Sequence, residues 1–164
     1  MTNNLKLIIG GIIASLIVVI GGAILLSASD KPVEREKLGT ASLEIDKTAQ
    51  DLGTMKSDEE KTAEFIITNT SNNPLRIWKV NTSCDCTFVT FKIGGKEAGE
   101  FNMHQGAAMR NWMGEVPVGS KAILTVIYRP KIMPVVGKVN RQVSFANNDP
   151  KNENVEVSIS ANVL

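Results

Sequence analysis

Two cysteines two residues apart, Cys84 and Cys86, and one histidine, His104, carry most of the reactive chemistry of a 164-residue chain. On extended backbone both thiols point to one face, with Cα atoms about 6.6 Å apart at about 3.3 Å per residue. That is near the upper end of the roughly 4.4–6.8 Å that disulfides span. A bridge there closes a tight ring that is easily reduced, and two same-side thiols are better placed to share a metal ion. A disulfide stays open if the segment lies outside the cytoplasm, where oxidised cysteines persist. Met103, His104, Met109 and Met113 fall within eleven residues, with Trp112 among them. Thioether, imidazole and thiolate form a soft ligand set, suited to Cu(I) and tolerated by Zn(II). One expectation is therefore that Cys84, Cys86 and His104, with one or more of Met103, Met109 and Met113, bind Cu(I). Beside it stand two others. The methionines and Trp112 pack the loop onto the body, Met being an adaptable filler, or the cysteines are a redox thiol pair.

Several sharper chemistries fail on inventory. A blue-copper centre takes two His and a Cys, and the chain has one His. There is no G-x-x-x-x-G-K-[ST] phosphate loop and no G-x-S-x-G nucleophile elbow. A thioredoxin-like site needs C-x-x-C beside a βαβ pattern. A Cys-His nucleophile has no third residue to orient it. Charge excludes another class: 18 Lys and Arg face 17 Asp and Glu, and the first 29 residues hold only Lys6. The rest is neutral, without the clustered cations that displace counterions from a nucleic acid. At 43% hydrophobic, the chain folds. The expectation is a non-enzymatic protein.

The elements that must position these residues are strands. Ala41, Leu43 and Ile45 alternate with polar neighbours, as do Ala63, Phe65 and Ile67, and Val155, Val157, Ile159, Ala161 and Val163. A period of two puts one face on a core and one in water. Ala122 to Tyr128 is apolar on both faces, which predicts a central strand. Turn signals at 70–74, 118–120 and 147–150 separate the runs. Six to eight strands without an amphipathic helix predict an all-β sandwich over 40–164. The segment 92–117 has four glycines before Met109 and no sustained alternation, and reads as a long loop of the kind that often carries function. Its apolar Phe101 and Trp112 are the expected contacts for a partner.

Leu7 to Leu26 is twenty residues without a charge, and a helix of that length spans about 30 Å, the thickness of a hydrocarbon core. The expected organisation is an N-terminal membrane anchor over 1–29 with a transmembrane helix at 7–26, a charged tether over 30–39, and the sandwich. A cleaved signal peptide ending at Ser27-Ala28-Ser29 is the rival, but the apolar run is long for one. Positive charge alone, at Lys31, Arg35 and Lys37, favours a cytoplasmic body. A short N-terminus before a large domain favours the outside, which is the expectation taken: a single-pass membrane protein with an extracytoplasmic body, its partner another envelope protein.

Phe65-Ile66-Ile67-Thr68-Asn69-Thr70, Pro74-Leu75-Arg76-Ile77 and Thr82-Ser83-Cys84-Asp85-Cys86-Thr87 occur in that order. Then come Pro117-Val118-Gly119, Leu124 to Tyr128, Gly137 and Val143 to Asp149. The series resembles the bacterial family called domain of unknown function 1573, over roughly Leu43 to Val163. The resemblance implies an immunoglobulin-like β-sandwich related to hydin-type domains, in an exported or membrane-anchored protein, and brings no established reaction. The family usually has Gly between the cysteines, where this chain has Asp85.

Overall fold

The computed structural model describes residues 3–27, 38–104 and 106–164, with side chains omitted at 3–8, 22–27 and 107–108. Met1–Glu34 and Arg35–Leu164 are separate compact units. In the first, α1 (Asn3–Ser27) is a 25-residue helix. Among the described residues no helix is long and apolar enough to cross a membrane, so the transmembrane helix expected at 7–26 is not found in them. The charged tether expected at 30–39 lies outside the described residues except for Leu38 and Gly39.

The second unit is a two-sheet β-sandwich. Its strands are β1 (Leu43–Ile45), β2 (Ala49–Met55), β3 (Lys61–Asn69), β4 (Leu75–Thr82), β5 (Thr87–Ile93), β6 (Lys96–Phe101), β7 (Met113–Val116), β8 (Lys121–Tyr128), β9 (Gly137–Asn147) and β10 (Asn154–Val163), with a one-turn helix α2 (Ala107–Arg110) before β7. One sheet runs β1-β3-β8-β5-β6 and the other β2-β10-β9-β4-β7. Neighbours are antiparallel except β2 and β10, which run parallel. Alternation places the inner residues as expected: Ala63, Phe65 and Ile67 of β3 and the odd-numbered residues of β10 are buried. The doubly apolar Ala122–Tyr128 segment is β8, the middle strand of its sheet.

Ten strands replace the expected six to eight, and the extra ones come largely from 92–117. That segment is not one loop. Gly94 and Gly95 both have positive φ, 55° and 81°, and pair Ile93 with Lys96 across a two-residue turn. Both central residues at positive φ is the geometry that glycine supplies without steric cost. β6 therefore follows β5 as a hairpin, and β7 returns to pair with β4 in the other sheet. Consequently β6 and β7 are the edge strands on one side of the sandwich.

Polar side chains fix the loops at the ends of the strands. Asn69 is fully buried, and its Nδ2 donates to the carbonyls of Asn73 at 2.8 Å and Val116 at 3.0 Å. Asn148 donates to the carbonyls of Gly39 and Pro74 and accepts from the Arg76 N–H at 2.8 Å. Each replaces the ladder bonds that a chain reversal loses.

Candidate functional site

Cys84 and Cys86 lie in the connection from β4 to β5, and they are joined by a disulfide with Cα atoms 5.2 Å apart. The backbone there is a turn, not the extended segment expected. Thr87 N–H donates to the Cys84 carbonyl at 3.1 Å, which draws the two Cα atoms together into the middle of the disulfide range. Neighbouring elements hold the turn. Thr82 Oγ1 donates to the Cys84 carbonyl at 3.0 Å. Ser83 N–H donates to the Gln142 carbonyl at 2.9 Å and Arg129 N–H to that of Cys86 at 2.8 Å. Arg129 is itself fixed by both carboxylate oxygens of Glu100, each at 2.7 Å, and by Glu60. The bonds from Arg129 hold the Glu100 carboxyl below its ordinary range.

A bridge this short does little for the fold. In the chain-entropy account a three-residue loop gains roughly 1.6 kcal/mol, against about 3 kcal/mol for fifteen residues. Its surroundings are specific. Cys84 is 6% exposed and Cys86 is fully buried. The Cys86 N–H donates to Cys84 Sγ at 3.0 Å. Met133 Sδ lies 3.6 Å from Cys84 Sγ. Arg141 Nε donates to Cys86 Sγ at 3.3 Å, and its guanidinium sits 5.7 Å from the ring centre of Tyr128. Met133 and Arg141 escaped the sequence reading because they stand 49 and 55 residues away.

The soft ligand set is only partly brought together. The loop carrying His104 does fold back to the cysteine turn, but through Asp85: His104 Nε2 is 3.2 Å from Asp85 Oδ2, with the imidazole 70% exposed. Met103 and Met113 are exposed, and Met109 packs against the core. With both sulfurs in a covalent bond, the thiolates that Cu(I) needs are absent in this state. Among the described residues no three His, Cys, Asp or Glu side chains are grouped to hold a metal.

The two expected contact residues are internal or partly so. Phe101 is 1% exposed and offers a partner no surface, because the alternation of β6 turns it inward. Trp112 is half-buried and stacks on Phe91 with ring centres 5.4 Å apart and lies 4.9 Å from Phe101. Trp112 instead forms one wall of a cavity of about 200 Å³ that opens between β6 and β7. Phe91 and Ile93 line it, and the exposed Lys96 and Glu115 stand at its rim. Gly114 permits the arrangement: a Cβ built there would meet the Trp112 ring at 2.5 Å. Gly114→Ala should therefore expel the indole. The expected result is a red-shifted tryptophan emission and a loss of about 1–3 kcal/mol in denaturant melts; an unchanged spectrum would refute this packing.

Comparison with known proteins agrees with the fold. Residues 43–102 match the family described as protein of unknown function (DUF1573), a span that includes both cysteines. A protein of unknown function from Porphyromonas gingivalis W83 superposes on 76% of this chain with TM-score 0.57 and 19% identity, using 48% of its own length. A family 123 glycoside hydrolase from Clostridium perfringens covers 77% of the chain with TM-score 0.54 and 8% identity, over 27% of its length. The chain thus spans about half of the first protein and about a quarter of the second, and at these identities the likeness is one of fold. No curated protein matches the chain.

Proposed function

We propose that the chain is a non-enzymatic, immunoglobulin-like interaction module held at the outer face of a membrane, and that it receives an extended segment of another envelope protein at the cleft between β6 and β7. One observation carries the reading: a cavity floored by Phe91, Ile93 and Trp112 and rimmed by charged residues opens between the edge strands of both sheets. An edge strand presents unpaired N–H and C=O groups to an incoming strand, while a pocket beside it selects a side chain. At about 200 Å³ the cavity is below the roughly 300–1,000 Å³ of small-molecule sites and suits one bulky apolar side chain. Lys96 and Glu115 at the rim supply both signs of charge to flanking residues.

The outside placement is supported by the Cys84–Cys86 bond, since disulfides persist in oxidising compartments. The membrane anchor is supported by the charge-free run from Leu7 to Leu26.

Photo-crosslinking residues placed singly at Lys96, Glu115 and Asp58 in the full chain test the contact surface. Asp58 lies in the turn between β2 and β3, on the opposite side of the sandwich. Lys96 and Glu115 should capture the same envelope protein, and Gly114→Ala should abolish that adduct. Equal capture from Asp58 would refute the cleft as the contact.

A further inference from the structure

Independently of the cleft, we infer that the Cys84–Cys86 disulfide is an exchange site for a dithiol, with Cys84 the sulfur attacked and Cys86 the sulfur that leaves. Three observations converge. The bridge joins two residues of one turn that hydrogen bonds from Arg129 and Ser83 already hold, so its covalent link is not what fixes the fold. The two sulfurs differ in access. Cys84 keeps 6% exposure and touches the half-exposed Met133, whereas Cys86 is sealed. They also differ in charge: the Arg141 guanidinium donates to Cys86 Sγ at 3.3 Å, and Thr87 Oγ1 lies 3.9 Å from it. A cation beside a sulfur lowers its thiol pKa, and the sulfur with the lower pKa leaves faster. Asp85, the negative group of the turn, faces His104.

The chemistry balances as follows. A thiolate of the incoming dithiol attacks Cys84 Sγ, the Cys84–Cys86 bond breaks, and its electron pair goes to Cys86 Sγ, held as a thiolate by Arg141. The second thiolate of the dithiol then attacks its own sulfur in the mixed disulfide. That forms the dithiol's disulfide and releases Cys84, which takes up a proton. Two electrons pass from the dithiol to this chain. Met133 stands against Cys84 Sγ on the exposed side, so it gates the approach.

The test uses the full chain in detergent, folded throughout as judged by circular dichroism, with dithiothreitol as the dithiol and alkylation mass shifts as the readout. Wild type should be reduced under native conditions. Arg141→Gln should slow reduction about tenfold and shift the equilibrium toward the disulfide, by loss of the charge that favours the leaving thiolate. Met133→Ala should accelerate it. In the single-cysteine variants, dithionitrobenzoate should label Cys84 in Cys86→Ser and leave Cys86 unlabelled in Cys84→Ser. Reduction of wild type only after unfolding, an unchanged rate in Arg141→Gln, or preferential labelling of Cys86 would each overturn the assignment. Crosslinking at the cleft is untouched by any of these results, so the two readings fail separately.

Discussion

Replacing Phe91 with alanine should destabilise the sandwich by about 4 kcal/mol, within the roughly 3–5 kcal/mol that removal of a buried phenylalanine costs. Phe91 is fully buried on β5 and meets aromatic rings on several sides. Phe101 of β6 and Phe145 of β9 approach edge-on at 6.3 and 5.7 Å, and Trp112 stacks at 5.4 Å. Phe145 belongs to the opposite sheet, so Phe91 joins the two layers at the side where the cleft opens. Each aromatic pair adds about 0.5–1.5 kcal/mol beyond the area it buries, and the four rings cannot all shift to fill the void. Urea melts of the full chain measure the loss. A change below about 1 kcal/mol would mean that the cluster collapses freely, which close packing does not allow.

Asp149→Ala should cost about 3 kcal/mol, and the penalty should depend on pH. The Asp149 side chain is buried, and it accepts the Leu43 N–H at 3.1 Å and the Lys151 N–H at 2.9 Å. Alanine leaves both donors without a partner, at about 1–3 kcal/mol each. It also frees β1, the strand that begins the sheet. Burial by itself would raise the Asp149 carboxyl, but the N–H groups of Lys151 and Leu43 outweigh it and hold the group below its ordinary 3.8. A depressed pKa in the folded state contributes stability that is fully present above the unfolded value, and that is lost as pH falls through the folded one. The stability gap between wild type and Asp149→Asn should therefore be constant near neutral pH and shrink below pH 3.8. A gap that widens in acid would reverse the assignment.

How far the sequence reveals this molecule differs by element. β3 and β10 are plain because one face packs and one is wet, so the period of two survives in the residues themselves. β8 is plain for another reason: it is the middle strand of its sheet and carries apolar residues on both faces, its outward Ile123 and Thr125 being half-buried. β6 and β7 were hidden. β6 is an edge strand with charged residues on its outward positions, and β7 is four residues long. Neither has length enough for a pattern to accumulate. The Gly94-Gly95 pair was the readable sign of the hairpin, since adjacent glycines between apolar residues suit a two-residue turn.

At the sulfur site the cysteines and the return of His104 were legible, while the partners were not. The spacing alone allowed an extended segment or a turn, and the Thr87 to Cys84 hydrogen bond decides for the turn. Met133 and Arg141 arrive from the β8–β9 connection and from β9 by tertiary packing, which leaves no local spacing to read. The three methionines near His104 were the visible cluster, yet the thioether that reaches Cys84 comes from a fourth. Phe101 and Trp112 are legible as apolar residues, but the way each packs is not. Inward alternation buries the first, and the bare backbone of Gly114 lets the second lie across β7.

The cleft between β6 and β7 is the central claim, and the most direct measurement is the crosslinking map of the full chain in cells. Probes at Lys96 and Glu115 should join one and the same envelope protein, with the adduct lost in Gly114→Ala and absent from Asp58. Adducts that are equal at Asp58, or that persist when Gly114→Ala displaces Trp112, would contradict it.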